Sequence, residues 1–244
     1  MDRAPRRSRR SADARESKHL ARGSGYHAAT VGTFVKLVVW LAVIGGGIAA
    51  LLRATCMRSW TAPTDDALLS LSIMPTLEAG DLLLLWRAGT PAYGELVRCP
   101  DPEAQGRFVI GRILGEQGDR IVAELGSITV NDKIIGSRRA CQPSQLSVFD
   151  PTTGEAFDLT CEIEEAGGIE YTRARATRPA PQPTPFRVTV PSGHVFLASD
   201  DRHYHDDSRD FGTVRKDTCQ ERIVFRLWSA RGWFDEGRRM ALIH

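Results

Sequence analysis

The sequence predicts a mostly β extracytoplasmic domain that follows one N-terminal transmembrane helix. An uncharged apolar run near the N-terminus predicts the helix, and an excess of basic residues before it sets the orientation. After this run, short apolar segments alternate with turn-forming residues, which is typical of β-structure. The 244 residues are enough for one domain with a substantial core in addition to the anchor.

The predicted transmembrane anchor comprises residues 31–52. Its core, residues 37–52, contains no charged side chain, and the whole run provides about the 20 residues that a bilayer span requires. Lys36 lies near the start of the run and can extend its ammonium group toward the lipid headgroups. A cleaved secretory signal is the alternative interpretation, although the apolar run is long for that purpose.

Charge predicts which side of the membrane each part occupies. Residues 1–30 contain three acidic and eight basic side chains, the latter being Arg3, Arg6, Arg7, Arg9, Arg10, Arg15, Lys18 and Arg22. The positive-inside rule therefore places this tail in the cytoplasm and residues 67–244 outside the cell (inner) membrane, with 53–66 as a linker. The net charge of the whole chain is only +2, so a nucleic-acid-binding surface is not expected.

Eight apolar runs predict strands in the outer domain. Val130 and Lys133 flank an Asn-Asp pair that predicts a tight hairpin turn. Residues 179–185 are rich in proline and are expected to form a loop, and residues 138–178 form a lobe of low sequence information. The predicted strands are 82–87, 107–113, 119–123, 128–130, 133–135, 186–190, 194–198 and 222–228.

The five cysteines contain no CxxC pair, so the sequence does not indicate a zinc or redox motif. An extracytoplasmic domain permits disulfides. Cys141 and Cys161 flank one loop and are the first candidates for a pair. Free or buried thiols at all five positions are the alternative.

Three short segments suggest an enzymatic site. Residues 70–81 read Ser-Leu-Ser-Ile-Met-Pro-Thr-Leu-Glu-Ala-Gly-Asp, residues 109–119 read Val-Ile-Gly-Arg-Ile-Leu-Gly-Glu-Gln-Gly-Asp, and residues 199–212 contain Ser-Asp-Asp-Arg and Asp-Ser-Arg. In this order they resemble the boxes of bacterial type I signal peptidases, the S26 serine peptidases. We call them the nucleophile box, the middle box and the late box. The resemblance implies a signal-peptidase-like β-fold.

The resemblance also implies roles for individual residues. Peptide hydrolysis needs a nucleophile, a base and donors for the oxyanion. Ser72 stands where the family has its nucleophilic serine, and the Ser70 hydroxyl and the Ser72 N–H stand where the family has its oxyanion hole. Ile73, Leu77 and Ile110 match positions that line the substrate pockets, although core packing is an equal explanation for Leu77.

The general base departs from the family pattern. Gly111 occupies the position of the family's catalytic lysine, and glycine has no side chain that accepts a proton. His205 occupies the position of a family serine near that lysine, so an imidazole is a candidate replacement. We hypothesise a Ser72–His205–Asp207 arrangement and a structural ion pair between Asp207 and Arg209.

Three interpretations follow for function. The first is a membrane-bound serine endopeptidase that removes signal peptides from exported preproteins. The second is a catalytically silent homologue that acts as a binding or assembly module, because Gly111 replaces the base. The third is an anchored β-domain of unrelated function, which the three ordered boxes disfavour. The expected partners are signal-peptide-bearing preproteins and the lipid bilayer, and neither a metal nor an organic cofactor is implied.

Overall fold

The structure is a computed structural model that describes residues 24–149, 153–177 and 185–243, with side chains from residue 33 onward. Most of the basic tail and most of the proline-rich loop lie outside the described residues. The chain divides into two compact units, Met1–Arg53 and Ala54–His244. Each unit is described separately below.

The described part of the first unit lies in helix α1, Ser24–Thr55, whose last two residues fall in the second unit. Its segment Thr33–Thr55 has a mean hydropathy of 2.2 and is long and apolar enough to cross a membrane by length and composition. Large apolar side chains along this segment, from Phe34 to Leu51, are exposed. The predicted anchor therefore lies inside a helix that extends beyond it at both ends.

The second unit is mostly β, as predicted. Its longer strands form three antiparallel sheets, and its helices are short. In chain order the elements are β1 Met57–Thr61, α2 Ala67–Ser72, β2 Leu82–Trp86, β3 Leu96–Pro100, β4 Phe108–Gly115, β5 Arg120–Glu124, β6 Ser127–Val130, β7 Lys133–Ile134, β8 Ser137–Phe149, β9 Ala156–Ala166, β10 Ile169–Ala176, β11 Phe186–Thr189, β12 His194–Ala198, α3 Ser208–Phe211, β13 Val214–Arg215, a 3₁₀ turn Lys216–Thr218, β14 Glu221–Trp228 and β15 Ala241–Leu242.

The largest sheet has the strand order β1-β2-β14-β3-β4-β12-β13, and β15 pairs with β14. A four-stranded sheet has the order β11-β5-β6-β7, and a three-stranded sheet has the order β10-β9-β8. The late strand β14 thus lies between two early strands, β2 and β3. Strand β4, which carries the middle box, lies between β3 and β12 near the centre of the largest sheet.

The eight predicted strands are confirmed as β2, β4, β5, β6, β7, β11, β12 and β14, with shifts of one or two residues at their ends. The predicted hairpin is also confirmed. Asn131 and Asp132 have φ angles of 49° and 66°, and the tight turn that matches strand twist requires positive φ at both central positions. Asparagine and aspartate tolerate this conformation better than most residues do.

Two segments differ from expectation. The segment 53–66, expected as a linker, contains β1, which pairs with β2 so that Met57 lies opposite Trp86. The lobe 138–178 consists mainly of the long strands β8, β9 and β10. Strand β8 is rich in polar residues and mostly exposed. Its sequence therefore lacks the regular alternation of apolar residues that predicts a strand.

Helix α2 carries Ser72 and packs on the largest sheet through apolar residues. Leu69, Ile73 and Leu77 are buried in one cluster with residues of β2, β3, β4 and β14. Asp66 caps the helix, because its Oδ1 accepts a hydrogen bond from the Leu69 N–H at 3.0 Å. The cap and the apolar face together fix the position of the nucleophile box.

Two disulfides link strands of the second unit. Cys141 and Cys161 join β8 to β9, so the candidate pair forms in the structure. Cys99 and Cys219 join β3 to the segment before β14. The second pair was not predicted because its members are 120 residues apart in sequence. Cys56 is the free cysteine among the described residues.

We expect one reactive thiol per chain. When protein isolated from the membrane is denatured without reductant, a maleimide probe should label Cys56 alone, and it should label all five cysteines after reduction. A Cys56→Ser variant is the control and should show no label before reduction. Three or more reactive thiols before reduction would contradict the disulfide assignment.

Candidate active site

Ser72 is the last residue of helix α2 and is fully buried. Its hydroxyl donates a hydrogen bond to the carbonyl of Leu69 at 3.0 Å. The residues before Pro75 are helical, and Pro75 itself lies in the turn that follows α2. The proposed nucleophile therefore points back along its own helix.

The donors expected for an oxyanion hole are also engaged within this helix. The Ser70 hydroxyl donates to the carbonyl of Asp66 at 2.5 Å. The Ser72 N–H belongs to the last helical turn, where N–H groups point toward the carbonyl four residues earlier. In this arrangement the Ser70 hydroxyl is not directed at a developing oxyanion, and a helical N–H at Ser72 points along its own helix.

Gly111 lies inside β4, opposite Val97 of β3. A Cβ atom built at Gly111 would lie 2.9 Å from the Cβ of Leu197 and 3.4 Å from the backbone of Ala198. Real Cβ contacts are essentially never below 3.0 Å. The space that a lysine side chain would need is thus filled by strand β12.

His205 is held by Asp210 rather than by Asp207. Its Nδ1 lies 2.7 Å from Asp210 Oδ2, and its side chain is 26% exposed. Asp210 is placed there by helix α3, because the same carboxylate accepts the backbone N–H of Asp207 in a capping box. The carboxylate that binds His205 is therefore the same one that caps the short helix α3.

The Asp207 carboxylate is committed to other partners. It forms an ion pair with Arg209 at 2.7 Å and accepts the Ser199 N–H at 2.7 Å. Burial alone would raise the pKa of Asp207, but Arg209 and these hydrogen bonds lower it to about 2. The structure thus contains the Asp207–Arg209 pair, and the hydrogen bonds of Ser72 and His205 lead to other groups.

The three boxes meet at a buried ion pair. Arg112 of the middle box and Asp200 of the late box are 3.0 Å apart and almost fully buried. Thr76 of the nucleophile box donates a hydrogen bond to Asp200 at 2.6 Å. The Arg112 guanidinium also stacks on the Tyr171 ring of β10, 3.9 Å from its centroid. The three-stranded sheet therefore supports the site directly.

A second buried pair extends this support. Arg202 of the late box lies 2.9 Å from Glu164 of β9, and both side chains are at most 1% exposed. The Ala174 carbonyl of β10 accepts the Arg202 N–H at 2.7 Å. The late box is consequently fixed to β9 and β10 on one side and to the nucleophile box on the other.

Comparison with known proteins agrees with the box order. The family model described as signal peptidase, peptidase S26, matches residues 35–228. The chain belongs to the S26 signal peptidase family. Its members are peptidases, and the match covers most of the predicted anchor and all three boxes.

Two relatives show how distant the similarity is. The chain is 25% identical over 162 residues to mitochondrial ATP-independent inner membrane protease subunit 1b of Arabidopsis thaliana, covering 64% of this chain and 65% of the relative. It is 25% identical over 165 residues to signal peptidase I of Streptococcus pneumoniae, covering 64% of this chain and 78% of the relative. The match thus spans slightly less than two thirds of the Arabidopsis protein.

A solved structure is also similar. It is a signal peptidase I from Enterococcus faecalis, which matches with a TM-score of 0.33 and 17% identity over 55% of this chain and 97% of that chain.

Asp201 is the site residue that sequence reasoning missed. It stands where the S26 late box has asparagine, and its backbone N–H donates to the carbonyl of Ser72 at 3.0 Å. Its Oδ1 accepts the N–H groups of His203 and Tyr204, whereas its buried Oδ2 has no hydrogen-bond partner among the described residues. Burial raises the pKa of Asp201 to about 7. The replacement of asparagine by aspartate was the available signal.

The three positions matched to substrate pockets are not accessible. Ile73, Leu77 and Ile110 are at most 3% exposed and share one core cluster. In this arrangement they pack the core beneath α2. A segment bound at these positions would require α2 to move.

One cluster of a histidine and two carboxylates has the composition of a metal site, but a neighbouring positive charge disfavours a cation there. Ligand atoms of His205, Asp207 and Asp210 lie within 4.8 Å of one another. The Arg209 guanidinium already bonds both oxygens of Asp207. A cation placed there would face that positive charge, so these residues do not fit a metal ion.

We expect Gly111→Ala to destabilise the second unit, Ala54–His244, which we also call the outer unit. The added Cβ meets Leu197, and overpacking in a core costs about 1–3 kcal/mol. Chemical denaturation of the detergent-solubilised full chain measures the effect. Gly136→Ala is the matched control, because nothing lies within 4 Å of a Cβ built there. Equal stability of the two variants would show that β12 leaves room at position 111.

We expect Asp201→Asn to reduce the pH dependence of stability. The pKa of Asp201 is about 7 in the folded state and about 3.9 in the unfolded state. Its contribution to the free energy of unfolding is therefore fully present below about pH 4 and is lost as pH rises through 7. The variant should therefore gain stability at pH 8 relative to wild type, by at most about 4 kcal/mol.

Denaturation curves between pH 4.5 and 8 measure this change. Asp206 contributes in the same direction, since burial and the nearby Asp101 raise its pKa to about 6, so part of the slope should remain. The control is Asp132→Asn, a surface carboxylate in the four-stranded sheet. An unchanged slope in Asp201→Asn would contradict the assignment of a buried, protonated carboxyl group.

Proposed function

We propose that this S26 family member is anchored in the membrane and binds signal-peptide-bearing segments of exported proteins without hydrolysing them by the family's serine–lysine route. The observation that carries the proposal is Gly111, because the position of the base has no side chain and its space is filled by Leu197. The relatives named signal peptidase I and inner membrane protease support the choice of exported proteins as the bound class.

The chemistry of Ser72 supports binding without cleavage. A serine hydroxyl is a weak nucleophile unless an adjacent base removes its proton. The Leu69 carbonyl that accepts the Ser72 hydrogen bond is a poor base. The two lysines of the outer unit do not supply one, since Lys216 pairs with Glu116 at 2.6 Å and Lys133 lies on β7 of the four-stranded sheet.

A second candidate function is signal-peptide removal with His205 as the base. One observation favours it. The carboxylate of Asp210 bonds His205 Nδ1, which leaves Nε2 as the ring nitrogen able to accept a proton. A carboxylate-oriented imidazole is the base of serine peptidases that use a triad. This mechanism requires a rearrangement that brings the imidazole to the Ser72 hydroxyl.

The proposed location is the cell (inner) membrane, crossed once, with the N-terminus in the cytoplasm. The basic tail supports this orientation through the positive-inside rule. The two disulfides support it independently, because disulfides persist in oxidising compartments outside the cytoplasm. The outer unit would then meet exported proteins as they leave the membrane.

Cleavage and binding should be measured together on the full chain in detergent. A test preprotein is incubated with wild type, Ser72→Ala and His205→Ala, and its cleavage and its cross-linking to the chain are quantified. We expect cross-linking by all three proteins and cleavage by none. His194→Ala, which changes another outer-unit histidine bonded to Ser192, is the matched control.

Other outcomes would decide between the candidates. Cleavage by wild type that is lost in both Ser72→Ala and His205→Ala would replace the binding proposal with the His205 mechanism. Cleavage lost in Ser72→Ala but kept in His205→Ala would exclude His205 as the base. It would also contradict the proposal that the chain binds these segments without cleaving them. Neither cleavage nor cross-linking would contradict both candidate functions.

A further inference from the structure

One cleft of the second unit lies away from the three boxes and is lined by basic side chains. Its volume is about 720 Å³. Arg87, His194, Arg215 and Lys216 contribute to its walls, together with hydroxyl groups such as that of Thr90. Lining of this kind, cationic and rich in hydrogen-bond donors, suits an anion.

One wall of this cleft is hydrogen-bonded to the residue that directly follows α1 in sequence. The Arg87 N–H donates to the carbonyl of Cys56 at 2.7 Å, and Cys56 directly follows α1. The apolar run ends at Leu52, four residues earlier, which corresponds to about 6 Å of helix. This depth is that of the lipid headgroups, which flank the hydrocarbon core. An anchor that ends at Leu52 would place Arg87 near the lipid phosphates.

The charges beside this wall are not balanced. Glu221 is shared by three arginines. Arg98 is buried and donates hydrogen bonds to Oε2 of this carboxylate. Its Nε lies 2.7 Å from that oxygen. Arg58 and Arg87 face Oε1 at 3.9 and 3.7 Å, which exceeds hydrogen-bond distance, and their side chains are 57% and 51% exposed. Among the described residues, Glu221 is the carboxylate within 4 Å of both exposed guanidinium groups, so one negative charge serves three arginines.

The other cations of the cleft are compensated. Arg215 pairs with Asp217, and Lys216 pairs with Glu116 at 2.6 Å. These pairs contribute hydrogen-bond donors rather than net charge. The binding energy for an anion should therefore come mainly from Arg58 and Arg87. Guanidinium groups bind phosphate with two parallel hydrogen bonds, which makes arginine well suited to this ligand.

We propose that Arg58 and Arg87, beside this cleft, form a binding site for a phosphate group. An anionic lipid headgroup is one source of this group, and soluble phosphate is the other. The site would hold the base of the outer unit against the membrane surface whether or not Ser72 reacts. It rests on the assignment of α1 as an anchor and is independent of the proposed function of the boxes.

The test is a titration of the full chain in detergent micelles. Short-chain phosphatidylglycerol, a diacylglycerol of the same chain length and inorganic phosphate are compared as probes, with the thermal unfolding midpoint as the readout. Each basic residue at an anionic surface contributes about fivefold in affinity. Arg58→Gln and Arg87→Gln should each weaken phosphatidylglycerol binding about fivefold, and the double variant about 25-fold. Diacylglycerol should not bind at the site.

Controls separate this site from general charge and from misfolding. Arg120→Gln removes an equally exposed arginine from the four-stranded sheet and should leave binding unchanged. Arg87→Lys keeps the charge but loses the fork of donors and should give an intermediate affinity. The midpoint of each variant without ligand reports folding. If the double variant does not fold, the single variants provide the test.

The outcomes are distinct. Unchanged phosphatidylglycerol binding in the arginine variants, or an equal loss in Arg120→Gln, would overturn the proposal. Inorganic phosphate that binds as tightly as the lipid, with the same dependence on Arg58 and Arg87, would support the site and assign it to soluble phosphate. Binding of phosphatidylglycerol alone would support the site and assign it to the lipid.

Discussion

The buried ion pair between Arg112 and Asp200 is the interaction on which the rest of the site depends. Two charges removed from water require mutual compensation and further hydrogen bonds, and this pair receives them from Thr76 and from the Gly94 carbonyl. Its members come from segments 88 residues apart in sequence. Removal of either partner would leave an uncompensated buried charge, so the pair specifies how the boxes are arranged even where its net contribution to stability is small.

The site has kept this framework and changed the groups that perform chemistry. The ion pairs of Arg112 and Arg209 are present, whereas the base position holds glycine and the neighbouring positions hold His205 and Asp201. A framework of buried pairs preserves a surface shape without any proton transfer. The same fold can therefore keep its surface shape while the hydroxyl of Ser72 remains bonded to its own helix.

The sequence predicted the features that leave a local signature. The anchor has a long uncharged run, the strand pairs have alternating apolar residues, and the 131–132 turn has residues that tolerate positive φ. The lobe strands β8–β10 leave no such signature because many of their side chains are polar, and their stability depends on pairing with each other. The Cys99–Cys219 pair and the Asp201–Ser72 contact depend on tertiary proximity, which no spacing rule reports. The helical conformation at Ser72 could not be predicted for the same reason, since the Asp66 cap and core packing fix this helix.

The position of β14 has a consequence for the order of assembly. This strand, near the end of the chain, fills the gap between β2 and β3, which are made early. Until β14 arrives, both early strands present unpaired edges, and such edges attract other extended chains. The largest sheet cannot close until residues 221–228 have been made and have paired with both neighbouring strands. Until β14 pairs, the unit is therefore an open sheet, and its two free edges must be kept from pairing with other chains.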